Sequence, residues 1–139
     1  MHSVPAEVLR TQIAYTTWAS KLLVEAAGTL TPEELTRDFG TADKSVLGTL
    51  VHVFAADRLW LARFTGEPIP PFTTDADYRL TVLQNDWPAL YERWKEWAGG
   101  LTDSRAQAEF AYSDRSGNHC QFLLHVSLRI PARHGIRAA

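Results

Sequence analysis

Histidine and cysteine are the side chains in this sequence best suited to hold a metal or move a proton near neutral pH, and there are few of them. His52 lies within LGTLVHVFAADRLWLARFTG, residues 47–66; His119 and Cys120 adjoin in SGNHCQF; His125 falls in LLHV. One helical turn to either side of His52 stand Gly48, Thr49, Ala55 and Ala56, all small. Short side chains around an imidazole leave a hollow above it, and a metal site in a helical bundle needs such room for ligand, ion and water. The same residues also suit close helix packing, with His52 bonded to a backbone carbonyl, because a buried ring nitrogen left unpaired costs about 1–3 kcal/mol. Spacing alone leaves both readings open.

Other constellations carry less chemistry. His119 and Cys120 are neighbours on extended chain and point to opposite faces, so they read as surface turn residues rather than joint ligands. Asp57 stands five residues after His52, on another side of the helix, and is expected to pair at the surface with Arg58 or Arg63 or to serve as a cap. Trp87, Trp94 and Trp97 have the spacing of core residues. Arg129, Arg133 and Arg137 make a basic series broken by Pro131, which reads as a solvated tail. The sequence has no glycine-rich phosphate loop, no G-x-S-x-G elbow and no paired carboxylates in a recognisable catalytic setting.

The elements that must position these residues are mostly helical. Val8, Tyr15, Ala19, Leu22 and Ala26, with Trp18 at their flank, form the apolar stripe of a first helix over residues 4–27. TPEEL at 31–35 is a capping box, with Thr31 as cap, Pro32 in the first turn and Glu34 three residues on. A second long helix runs from about Ser45 to Phe64 on Leu47, Leu50, Val51, Phe54, Leu61 and Ala62, and Gly66 stops it. EPIPPFTTDAD, residues 67–77, is too rich in proline to continue a helix. Leu80, Leu83, Trp87, Leu90, Trp94, Trp97 and Leu101 then recur at steps of three and four as a third helix. Pro88 predicts either a kink there or a restart capped by Asp86. Residues 107–122 lose the helical period and predict a small hairpin, after which QFLLHVSLR begins a fourth helix that Pro131 cuts short.

Composition bounds the rest. With 139 residues, 45% of them hydrophobic and 22% charged, the chain suits one domain with a single core. A net charge of −2 supplies no basic field for nucleic acid or anionic lipid, so neither is an expected partner. One cysteine excludes an internal disulfide. The amino terminus MHSVPAEVLRTQ lacks the apolar run of a secretion signal, and no segment approaches the ~20 apolar residues of a membrane span, so the cytoplasm is the expected compartment.

Tyr15-Thr-Thr-Trp18-Ala19, then SVLGTLVHVFAADRLWLARFTG from Ser45 to Gly66, then LLHV at 123–126 follow one another in the order found in the DinB/YfiT-like family, which the chain resembles over about residues 8–126. The most specific block is Leu50-Val51-His52, followed by Ala56-Asp57 and Trp60-Leu61. The resemblance implies an all-α, up-down-down-up four-helix bundle holding a divalent metal, zinc or nickel, on three histidines. It further implies thiol-dependent S-transferase or isomerase chemistry on a small thiol substrate. His52 matches the family's first ligand. The others belong to a fourth-helix pattern resembling His-Val-x-Asn-His-x-x-x-His-Arg-Gly, which here begins at His125-Val126 and then departs: Leu128 replaces the asparagine, and Arg129 and Arg133 stand at the ligand positions. A guanidinium stays protonated and only donates, so it cannot ligate. His52 and His125 remain as candidate metal ligands in an incomplete site.

Residues 1–126 therefore read as the bundle and residues 127–139, SLRIPARHGIRAA, as a divergent tail, better explained by a reading-frame change than by gradual drift. The DNA beyond the Val126 codon would then encode the paired histidines in another frame. A short fourth helix would leave apolar stripes uncovered, and a homodimer through Leu22, Trp94 and Trp97 is the expected cover. The alternative to a metal-dependent enzyme is a non-catalytic helical bundle that dimerises or binds a small apolar ligand.

Overall fold

The three expected long helices form, and several of the ends are set by local chemistry. The computed structural model describes residues 4–125 and 127. Helix α1 spans Ala6–Ala27, α2 Pro32–Thr36 and α3 Val46–Thr65. After a 3-10 turn at Asp75–Asp77 come α4, Leu80–Gly99, and α5, Asp103–Gln107; strands β1, Glu109–Ser113, and β2, His119–Leu123, complete the chain's regular elements among the described residues. Thr31 and Glu34 exchange the two bonds of the capping box at the start of α2. Ser45 Oγ accepts from the Gly48 amide to open α3, and Gly66, at φ 74°, closes it in the left-handed region that glycine adopts without a Cβ clash.

The start of α1 has no cap of its own, since Pro5 offers no side-chain acceptor. The Asp103 carboxylate fills that role from α5, accepting from the Ala6 amide at 2.7 Å. Arg10 donates to the Leu101 carbonyl beside it. The first and fifth helices are thereby joined at one end of the bundle.

Helices α1, α3 and α4 pack on one another. Leu9 of α1, Val51 and Leu61 of α3, and Leu83 and Trp87 of α4 are its most enclosed side chains. Most of α3 is buried, including the whole expected stripe from Leu47 to Ala62. Trp87 and Trp94 are core residues as their spacing predicted, while Trp97 is half-buried and stacked on Phe64. Helix α4 runs through Pro88 without the restart that its ring suggested; Arg79, not Asp86, precedes its first turn. Pro88 and Gln84, the residue whose carbonyl loses its partner, both lie at exposed positions, where water can take up the freed group.

The face α1 turns to the core differs from the expected one. Ala6, Leu9, Ser20 and Ala27 are buried, whereas Val8, Tyr15, Trp18 and Leu22 are exposed. The helix is apolar on two sides, and the bundle takes the side with the smaller residues, which lets α4 approach closely.

The expected hairpin forms as an antiparallel pair in the register Tyr112 opposite Cys120 and Ser113 opposite His119. His119 is exposed and Cys120 half-buried, both on β2 rather than in the turn. The turn is organised by Asp114, which accepts from the Ser116 and Asn118 amides, with Gly117 at φ 87°. Leu124, His125 and Ser127 are helical; the rest of the expected fourth helix and of the 127–139 tail lies outside the described residues.

Candidate functional site

One face of α3 carries His52, Ala56, Leu59, Trp60 and Arg63, and the hairpin and the proline-rich connection close around it. The result is a cleft of about 290 Å³, completed by Phe72, Tyr112, Asp114, Arg115 and Ser116. Its geometry follows from a few anchors.

The connection is fixed by Arg58. From α3 its guanidinium donates to the Phe72 carbonyl at 2.8 Å and to both carboxylate oxygens of Asp77 at 3.2 and 3.4 Å. Burial works against the charge on Asp77, but the bonds from Arg58 and the Thr74 amide outweigh it and hold the carboxyl below its ordinary range. So held, Phe72 sets its ring edge-on to His52, centroids 5.3 Å apart, and Arg115 covers the Phe72 ring at 4.0 Å.

The hairpin is fixed by Arg63, whose guanidinium lies between the rings of Trp60 at 4.6 Å and Tyr112 at 4.7 Å. The same group donates to the Ser113 carbonyl. Burial lowers the Arg63 pKa, though an arginine remains protonated at neutral pH, and burial likewise pushes the Tyr112 hydroxyl up. At the tip, Asp114 stays a carboxylate because the Asn118 and Ser116 amides bond its charged form.

His52 itself has a carboxylate behind it: Asp43 Oδ1 lies 3.5 Å from its Nδ1. The small neighbours of the expected hollow divide into two kinds. Toward Ala56 the cleft is open, but at Gly48 a Cβ would stand 2.2 Å from the Asp43 carbonyl oxygen, so the glycine admits the loop backbone rather than a ligand.

His125 does not line this cleft. It is 8% exposed, and neither ring nitrogen has a hydrogen-bond partner among the described residues; the Ser127 hydroxyl is in the same state. Among the described residues no three of His, Cys, Asp and Glu come together as a metal would require. Asp57, expected at the surface, is buried and accepts from the Trp87 indole instead. The carboxylate faces α4 because it sits five residues, about 140° of helix turn, beyond His52.

Sequence reasoning singled out His52 but missed Arg63, Phe72 and Arg115. Arg63 was within reach: the His52 face, followed through Ala56 and Trp60 at helical steps, arrives at it. Phe72 and Arg115 lie on loops that carry no period.

These observations define a mostly helical bundle with an aromatic, cationic cleft between its central helix and a small hairpin. The DinB family model matches residues 5–129, and the chain belongs to the DinB family. No curated protein and no solved structure matches it.

Proposed function

We propose that the chain binds a small anionic molecule with an apolar portion in the cleft beside His52. The observation that carries this reading is the lining itself: His52, Arg63 and Arg115 stand among Phe72, Trp60 and Tyr112. Only Asp114 among the lining residues is acidic. Guanidinium groups held on ring faces are preorganised donors for a carboxylate, and the rings cover the ligand's apolar part. In this reading the bundle has the up-down-down-up four-helix arrangement, with the helix begun at Leu124 as its fourth member, and the protein works in the cytoplasm. The test is titration with a panel of small carboxylates and mercaptocarboxylates, followed by the fluorescence of Trp60 and by calorimetry. Binding that weakens about tenfold or more in Arg115→Met supports the proposal, on the scale of one charge-assisted hydrogen bond. A panel without any member that binds more tightly than ~10 mM overturns it.

A second reading, zinc- or nickel-dependent S-transfer on a small thiol, is favoured by His125. Among the described residues neither nitrogen of this buried imidazole has a partner, and coordination would satisfy them. The described residues, however, bring one histidine and Asp43 together and leave His125 out of the cleft, which does not fit a three-donor ion. Metal analysis of purified protein separates the readings. A stoichiometric ion lost in His52→Ala and in His125→Ala favours S-transfer; anion binding unchanged by a chelator favours the first.

A further inference from the structure

We propose that the exposed face of α1 is a self-complementary seam on which a second copy of this chain docks, antiparallel, about a two-fold axis near Tyr15. Val8, Tyr15 and Leu22 recur at steps of seven, and Trp18 stands three residues after Tyr15, which is the spacing of a two-helix seam. All four are exposed, Tyr15 by 65% and Trp18 by 56%, and the two rings pack together with centroids 5.8 Å apart. The opposite side of the same helix is the one already buried in the bundle, through Leu9, Ser20 and Ala27.

Spacing and charge both select a second copy. The three seven-step positions are symmetric about Tyr15, so an antiparallel partner in that register sets Val8 against Leu22 at both ends and Tyr15 against itself. A two-fold contact requires this self-complementarity. Along one edge of the seam run Glu7 and Lys21, both exposed, the Lys21 ammonium lying 5.5 Å from the Tyr91 ring centroid of its own chain. In the same register each Glu7 meets the other copy's Lys21, giving two opposite-charge pairs. Glu25 then falls beside the partner's α1 amino terminus, where the helix dipole favours a carboxylate. On the seam's other edge Ala19 and Ala26 are small enough for the helices to approach. The expected partners Trp94 and Trp97 play no part, the first being buried and the second half-buried against Phe64.

Sedimentation equilibrium of the full chain tests this. A dimer with a dissociation constant of about 10 μM or tighter is expected; a monomer well above ~100 μM overturns the proposal. Tyr15→Glu should give a monomer with an unchanged far-ultraviolet spectrum and a cooperative melt. Should that variant fold poorly, the charge pairs decide. Glu7→Lys and Lys21→Glu should each weaken the dimer about tenfold, and the double reversal should restore it; a double reversal no better than the singles overturns the register. The chain's own tail is the rival occupant: if the intact protein is monomeric and removal of residues 128–139 makes it dimerise, the face belongs to the tail and the proposal is overturned.

Discussion

The indole N–H of Trp87 donates to Asp57 Oδ2 at 3.1 Å in the middle of the bundle, joining α4 to α3 through a carboxylate that is only 8% exposed. Burial disfavours the charged form of Asp57 more than the Trp87 bond favours it, so its pKa is raised from 3.8 to about 7. The Tyr91 hydroxyl is also pushed up, first by burial and then by the nearby Asp57 charge.

A raised carboxyl makes stability fall as pH rises. Between 3.8 and about 7 the folded protein keeps a proton that the unfolded chain has released, so this stabilising contribution is fully present below the lower value and is lost as pH rises through the upper. Each unit of separation is about 1.4 kcal/mol. Asp77 and Asp114, held low, act with the opposite sign and lose stability as pH falls. The comparison that isolates Asp57 is therefore Asp57→Asn against the parent, by urea unfolding from pH 4 to 9. The variant should gain relative to the parent as pH rises and lead above pH 7; parallel profiles would rule out the buried acid as their cause.

Trp87→Phe removes the indole N–H that Asp57 accepts from while keeping most of the ring's volume. A buried acceptor left without its bond should cost about 1–3 kcal/mol by chemical unfolding. In an Asp57→Leu background, where there is no acceptor to strand, the same change should cost clearly less. Equal costs would assign the effect to packing against Phe54 and Tyr91 instead.

Gly48→Ala should destabilise by roughly 1–3 kcal/mol, because a Cβ placed 2.2 Å from the Asp43 carbonyl forces the loop away. The displacement should also be visible in the His52 imidazole resonances, since Asp43 stands beside its Nδ1. A variant with unchanged melting temperature and unchanged His52 shifts would mean that the loop yields freely.

Arg63→Met should loosen the hairpin from α3. It removes the cation held between Trp60 and Tyr112 and the bond to the Ser113 carbonyl, together worth about 1–3 kcal/mol. Amide exchange in residues 109–123 should speed up while that of Leu50 to Leu61 stays near the parent's. Uniform protection in the hairpin would show that Phe110 and Tyr112 dock it by packing alone.

Helix boundaries were legible in the sequence because their causes are local. Thr31 with Glu34, Ser45 before α3 and Gly66 after it act through bonds and dihedral angles a few residues away. The site was legible only in part. His52 and its small neighbours pointed to a hollow, but the space beside one of those neighbours, Gly48, is occupied by the Asp43 backbone, which lies on a loop without periodicity.

What the sequence by itself determined is the order and extent of the three long helices, the capped turn at Thr31, the hairpin and the family they belong to, since periodicity, caps and motif order are properties of neighbouring residues; the short helix α5 and the 3-10 turn carry too few residues to show a period. The tertiary structure decided which side of each element is inside. Helix α1 carries apolar residues on two faces, and only packing in the bundle buries Leu9 and Ala27 while leaving Tyr15 and Trp18 exposed. Asp57 reads as a surface charge until α4 brings Trp87 against it. The cleft likewise exists only once Arg58 draws Phe72 to His52 and Arg63 holds the hairpin, because a contact between residues far apart in the chain leaves no trace in their local spacing.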